Sequence, residues 1–255
     1  METFHDNSLL NKKILITGGS SGIGADSAKM FSNCGASIIL LGRNETNLNN
    51  VFLELSKRQK HKCIVSDLSL EDAAYKILNS IESEFLPLDG IFHASGSELI
   101  KPIQLTKTKD LDYVLSSSLF PALSLARGVS KKGIMVDGGS VVFMSSVAAI
   151  SGTAGLSAYS ASKSCLEGLL KSLALEFANR KIRFNSIISG AIESPMHERI
   201  MNNMSSKSKE DYELKHPLGF GSPSDISNLA TFLLSDASKW ITGSQIVIDG
   251  GYTIL

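Results

Sequence analysis

The sequence predicts a single doubly wound α/β domain of about seven parallel strands with helices on both faces. Three observations carry the prediction. Short β-branched apolar runs alternate with amphipathic stretches along the chain, an alternation that implies right-handed crossovers between parallel strands. The first of these runs, Lys13–Thr17, is short, apolar and β-branched, as a strand covered on both faces requires. No repeat, low-complexity tract or linker divides residues 1–255, so the chain reads as one large domain that buries about three quarters of its unfolded surface.

The elements follow in order. Lys13-Ile14-Leu15-Ile16-Thr17 is a short apolar strand that runs directly into Gly18-Gly19-Ser20-Ser21-Gly22-Ile23-Gly24. Helical spacing follows, with Ile23, Met30, Phe31 and Cys34 on one stripe that closes at Gly35. Strand, glycine turn and helix in that order form a phosphate site. Missing side chains let the backbone approach a pyrophosphate, and the helix N-terminus offers free N–H groups and a positive dipole end. Further strands are expected at 37–41, 62–65, 90–94, 140–145, 183–188 and 245–248, and helices at 70–85, 111–129, 158–178 and 225–234. Residues 193–221 break the rhythm, being polar, methionine-dotted and rich in Ser and Lys. They are expected to form a mobile flap, because they follow a strand whose C-terminal end faces the nucleotide crevice. A disordered surface insert is the alternative.

Chemistry is carried by Tyr159 and Lys163, four residues apart, with Ser146 thirteen residues before the tyrosine. On a helix that spacing puts both side chains on one face. A phenol has an ordinary pKa of about 10; a nearby ammonium should lower it and bring the tyrosine toward the operating pH of an acid–base catalyst. Ser146 could hold a substrate oxygen beside it. The plain alternative is a solvated lysine and a half-buried tyrosine on an amphipathic helix.

Bulk properties exclude several classes. Lys plus Arg equals Asp plus Glu at 25 each, so nothing in the charge balance favours nucleic acid or an anionic membrane. Cys34, Cys63 and Cys165 are odd in number and scattered, and are expected to be buried reduced thiols, not a disulfide framework or a metal site. Residues 1–11 are polar and lack a signal peptide's apolar core, and no apolar run is long enough to span a bilayer. A cytoplasmic protein is expected.

From about Leu10 to its C-terminus the chain resembles the short-chain dehydrogenase/reductase family, and within it the 3-oxoacyl-acyl-carrier-protein reductase-like branch. The resemblance rests on Thr17-Gly18-x-x-x-Gly22-x-Gly24, on Asp67 after a strand, and on Ser146, Tyr159 and Lys163 at the family's separations. It also rests on Gly190-Ala191-Ile192 with Ser194-Pro195-Met196, and on the C-terminal stretch from Trp240 to Asp249-Gly250-Gly251. The resemblance implies a Rossmann-type fold and a nicotinamide cofactor held by Thr17, Gly18, Ser20, Ser21, Gly22, Ile23, Gly24, Arg43, Asp67, Leu68, Ala94, Gly96, Gly190 and Ile192, together with Tyr159 and Lys163. It implies catalysis by Ser146, Tyr159 and Lys163.

Departures from the family are readable too. Ser118 stands where an asparagine usually binds a water of the proton relay; serine can hydrogen-bond water but is shorter, with one donor instead of two. His93-Ala94-Ser95-Gly96 replaces an Asn-Asn-Ala-Gly type segment, and His93 is expected to be structural. Ser189 replaces a proline, and 217–221 lacks the loop's common arginine. At the end of the second strand Gly42 and Arg43 occupy the window where an acidic residue would select NAD(H). Glycine leaves room and a guanidinium fork can hold a 2′-phosphate, which favours NADP(H).

The sequence therefore reads as an NADP(H)-dependent oxidoreductase acting on a carbonyl/alcohol pair, 3-oxoacyl-thioester reductase-like. A sugar or another small ketone is the alternative substrate, and a catalytically weak nucleotide-binding regulatory or scaffold protein the alternative class. The leucines of 158–178 exceed what one core-facing stripe needs, so a homo-oligomer, tetramer or dimer, is expected.

Overall fold

The computed structural model describes residues 7–254; residues 1–6, within the segment expected to lack a signal sequence, and residue 255 lie outside the described residues. The chain runs β1 (Lys13–Thr17), α1 (Gly22–Asn33), β2 (Ser37–Gly42), α2 (Glu45–Leu53), β3 (Lys62–Val65), α3 (Ala73–Ser80) and β4 (Leu88–His93). It continues through α4 (Thr108–Ser117), α5 (Leu119–Val129), β5 (Met135–Ser146), α6 (Ser157–Glu176) and β6 (Arg183–Ser189) to α7 (Pro195–Asn202), α8 (Ser206–Leu214), α9 (Pro223–Leu234) and β7 (Gln245–Ile248). All seven strands pair in parallel, in the order β3-β2-β1-β4-β5-β6-β7. The order reverses between β1 and β4, whose ends pair as Thr17 with His93, and a crevice at that switch point is where doubly wound sheets place their ligands.

Successive residues of a strand point to opposite faces, and the core divides accordingly. Leu15, Ile39, Leu41, Ile91 and Phe143 pack on one face against α3, α5 and α6. Ile14, Ile16, Ile38, Leu40, Phe92 and Val142 pack on the other against α1, α2 and α9. Helix starts follow local chemistry. Ser222 and Asp225 form a capping box with Pro223 in the first turn of α9, and Ser194 accepts the His197 N–H at the start of α7.

The structure departs from the sequence reading in four places. The helix expected over 111–129 is broken at Ser118, which sits at φ −130°, ψ −67°. Pro121 has no N–H to give the Ser117 carbonyl, and that carbonyl accepts from the Ser95 hydroxyl instead (3.3 Å). The stretch 70–85 is helical only over Ala73–Ser80, because Asp72 has φ 58° and Ile81 is extended. Cys165 is exposed, not buried; Cys34 is buried and Cys63 partly so. Residues 193–221 are not an unstructured insert: they contain α7 and α8, and their ends meet in a bridge between Ile192 and Gly221. The Glu193 N–H donates to the Gly221 carbonyl (2.8 Å) and the Gly221 N–H to the Ala191 carbonyl (3.0 Å).

Candidate active site

The glycine turn lies between the end of β1 and the start of α1. Gly18 has φ +69°, and a Cβ there would stand 2.9 Å from the Ser95 nitrogen, so only glycine permits this path. At Gly24 a Cβ would drive into the Gly18 carbonyl. Ser21 caps α1 with extended backbone but makes no side-chain capping bond, which leaves the positive end of the helix turned to the groove. That groove, about 580 Å³, is lined by Gly18, Ser20, Ser21, Gly22, Ile23 and Gly24 on one side. Arg43, Asp67, Leu68, Ala94 and Gly96 line the remainder. The side-chain-free turn against a helix N-terminus fits a dinucleotide pyrophosphate. Asp67 Oδ1 accepts the Ser69 N–H (2.9 Å); that bond, with help from the Arg43 charge, holds its carboxyl below the ordinary range.

A second cleft of about 460 Å³ joins the first at Ile23, Ala94, Gly96 and Glu98, and holds Ser146, Tyr159 and Lys163 together. Ser146 ends β5; Tyr159 and Lys163 lie one turn apart on α6. Lys163 is buried, and its Nζ donates to the Met144 carbonyl at 2.9 Å. Nζ stands 5.8 Å from the centre of the Tyr159 ring. The expected lowering of the phenol pKa is not what this geometry gives. Burial pushes Tyr159 up to about 12, against the pull of a Ser146 hydrogen bond and with a further push from the Glu98 charge. Burial likewise pulls Lys163 down to about 8, opposed by the charge of Glu167. Desolvation outweighs the ammonium here because Nζ is turned to a backbone oxygen instead of to the phenol. Tyr159 is therefore a protonated donor at neutral pH.

Gly190 and Ile192 line the second cleft, beyond the end of β6. Two expected site residues do not face either cleft. Thr17 is fully buried, and its Oγ1 accepts the Ser95 N–H (3.2 Å) and pairs with His93 Nδ1 (2.8 Å). Ser118 is also buried, with an Oγ that has no hydrogen-bond partner among the described residues. Its carbonyl accepts from His93 Nε2 (2.9 Å). His93 is thus a structural brace between β1 and the α4–α5 break, and burial pulls its pKa down to about 4.

The sequence reading missed the far wall. Met196, Ile200, Met204 and Tyr212 of the 193–221 excursion, with Tyr252, face the second cleft. Arg199 of α7 forms a two-pronged ion pair with Glu98 (2.9 and 3.3 Å) where the clefts meet. Of these only Met196 falls in a motif, Ser194-Pro195-Met196; the fold alone brings the others to the site. Among the described residues there is no cluster of metal-ligating side chains, and no helix is long and apolar enough to cross a membrane.

Comparison with known proteins agrees with this geometry. The family described as Enoyl-(Acyl carrier protein) reductase matches residues 18–253. A tropinone reductase homolog from Arabidopsis thaliana is 34% identical over 254 residues, covering 97% of this chain and 93% of the relative. The 3-oxoacyl-acyl-carrier-protein reductase of Thermotoga maritima is 32% identical over 248 residues, covering 96% and 99%. Among solved structures, a dehydrogenase/reductase from Sinorhizobium meliloti superposes with a TM-score of 0.88 at 28% identity, covering 97% of each chain. A short-chain type dehydrogenase/reductase from Mycobacterium ulcerans superposes at 0.86 with 29% identity, covering 96% and 91%.

Proposed function

The chain belongs to the short-chain dehydrogenase/reductase family, on the branch of the 3-oxoacyl-acyl-carrier-protein reductases, and on that premise we propose that it is an NADPH-dependent reductase of a 3-oxoacyl-thioester-like ketone. The observation that carries the proposal is the meeting of the glycine-turn groove and the Ser146–Tyr159–Lys163 cleft at shared walls. A nicotinamide cofactor bound across that junction supplies the hydride. Ser146 orients the substrate carbonyl oxygen. Tyr159, held protonated by burial, gives that oxygen its proton as general acid. Lys163, fixed by the Met144 carbonyl, holds its ammonium in the second cleft next to Gly96, from where it would meet the ribose of the cofactor.

Arg43 at the open end of the groove, with no carboxylate at the end of β2, supports NADP(H) over NAD(H). The apolar wall of Met196, Ile200 and Met204 suits an acyl chain. A small cyclic ketone is the second reading, supported by the tropinone reductase homolog among the relatives. The flap 193–221 opens to admit substrate. Exposed Tyr113, Phe120 and Leu123 on α4–α5 and Leu175 on α6 support a homo-oligomer, tetramer or dimer. Light scattering at micromolar protein tests the assembly; a monomeric mass overturns it.

The test of function is NADPH oxidation against a panel of 3-oxoacyl thioesters, cyclic ketones and keto-sugars. Tyr159→Phe should lower turnover by about a hundredfold or more. Equal rates for the two proteins would remove the tyrosine from the mechanism, and no turnover with any ketone would return the chain to a nucleotide-binding regulatory role.

A further inference from the structure

Tyr159, Lys163 and Glu167 stand at i, i+4 and i+8 on α6, hence on one face of the helix. Helical side chains lean toward the N-terminus, so the Glu167 carboxylate reaches back toward the turn that carries Lys163. Glu167 is buried, at 7% exposure. Its Oε2 accepts the Ser186 hydroxyl at 2.7 Å, and its Oε1 is buried with no hydrogen-bond partner among the described residues. Ser186 pairs in register with Phe143 of β5, the neighbour of Met144, whose carbonyl takes the Lys163 N–H. Carboxylate and ammonium therefore sit on adjacent rungs of the same β5–β6 ladder.

A buried carboxylate with one neutral donor is poorly compensated and needs a cation nearby. Lys163 is in the complementary position, buried with one backbone acceptor. The groups facing Lys163 come from two elements besides β5. From β4 comes His93, whose imidazole is held neutral by burial and, in lesser part, by the Lys163 charge itself. From α6 come Tyr159, which stays protonated, and Glu167. β5 contributes the Met144 carbonyl. Glu167 is the anion of this set.

We propose that Glu167 is a positioning residue for Lys163, its buried carboxylate keeping the ammonium charged at the pH where Tyr159 must donate. The consequence for catalysis rests on the reductase reading above, but the electrostatic claim does not, and the two can be tested apart.

The experiment is an NMR titration of the full-length protein labelled with lysine at 13Cε, with and without NADPH, the Lys163 signal being identified by its loss in Lys163→Met. The wild-type midpoint is expected near 8, where burial and the Glu167 charge set it. Glu167→Gln keeps an oxygen for Ser186 but removes the charge, and should lower the midpoint by about one to two pH units. Glu167→Asp draws the charge back by one carbon and should fall between the two. Ser186→Ala removes the hydrogen bond and leaves the charge, so its midpoint should stay with the wild type. Equal midpoints in all four proteins would make Glu167 only an anchor between α6 and β6 and overturn the proposal. Should the Gln variant fail to fold, the comparison of Asp with wild type decides, an unchanged midpoint again overturning it. In ketone reduction the alkaline limb should move by the same interval. Titration as expected in a protein that reduces no ketone would sink the functional reading and leave this one standing.

Discussion

Replacing His93 by asparagine tests whether a single neutral imidazole makes the fold acid-sensitive. The ring is fully buried. In the neutral ring Nδ1 is the acceptor, because Nε2 faces a carbonyl, and it takes the Thr17 hydroxyl at 2.8 Å. Its Nε2 donates to the Ser118 carbonyl at 2.9 Å. A second proton on Nδ1 would turn the Thr17 hydroxyl from donor to acceptor and put a full charge in a fully buried site. Burial chiefly, aided by the Lys163 charge, takes the pKa from the ordinary 6.5 to about 4. The unfolded chain thus binds a proton as pH falls through 6.5, while the folded chain resists until about 4. The stability contributed by the neutral ring is whole above the unfolded value and is lost as pH falls across that window. A shift of that size corresponds to about 3 kcal/mol in full, of which about 2.5 kcal/mol should be gone at pH 4.5. Urea denaturation at pH 7.5 and 4.5, at one protein concentration, measures it. His93→Asn should start less stable yet lose about 2.5 kcal/mol less than wild type on acidification. Other histidines such as His197, whose pKa burial also lowers, titrate in both proteins and cancel. Equal losses in the two would show that His93 is not the titrating group.

Three further outcomes follow from the site. Arg43→Asp should weaken NADPH binding by about 2–4 kcal/mol and leave NADH binding nearly unchanged; calorimetric titration showing equal losses would end the assignment to NADP(H). Ser118→Ala removes a buried hydroxyl that has no partner among the described residues, so denaturation should show a neutral or stabilising change of up to about 1 kcal/mol, with reduction kinetics preserved. A tenfold fall in kcat would instead place the side chain in the proton relay. Gly24→Ala puts a methyl group into the Gly18 carbonyl and should weaken NADPH binding by about tenfold or more, 1.4 kcal/mol at least. Fluorescence titration reads this, and tight binding by the variant would mean the turn can open without cost.

The sheet was legible because buried parallel strands announce themselves. The expected strand positions coincide with β1, β3 and β7 at both ends, and differ elsewhere at the margins, most of all in β5, which starts at Met135. The Tyr159–Lys163 pair was legible because a spacing of four on one helix is a geometric statement, whereas Ser146 reaches it from the end of β5 only through the fold. Other features were invisible for physical reasons. The break at Ser118 needed the weight of Pro121, which the amphipathic pattern over 111–129 masked. Lys163 could not be seen to turn toward Met144, so the balance between desolvation and charge at Tyr159 came out reversed. Glu98, Arg199 and Tyr212 come from segments with no periodic or motif signal; the path of the excursion delivers Arg199 and Tyr212, and the segment after β4 delivers Glu98.

The Ile192–Gly221 bridge makes the excursion a loop that leaves and rejoins the domain at a single rung. What lies between is tied back at a few points: Arg199 to Glu98, the Leu218 N–H to the Gly250 carbonyl, and His216 against Tyr252. Closing a loop costs little more when the loop grows, roughly 0.6 kcal/mol for each doubling. Insertions that keep the rung and these ties should therefore be accommodated with β6 in place. The far wall of the cleft is in effect a cassette clipped to the domain at a few points, so its shape can vary while Ser146, Tyr159 and Lys163 keep their places.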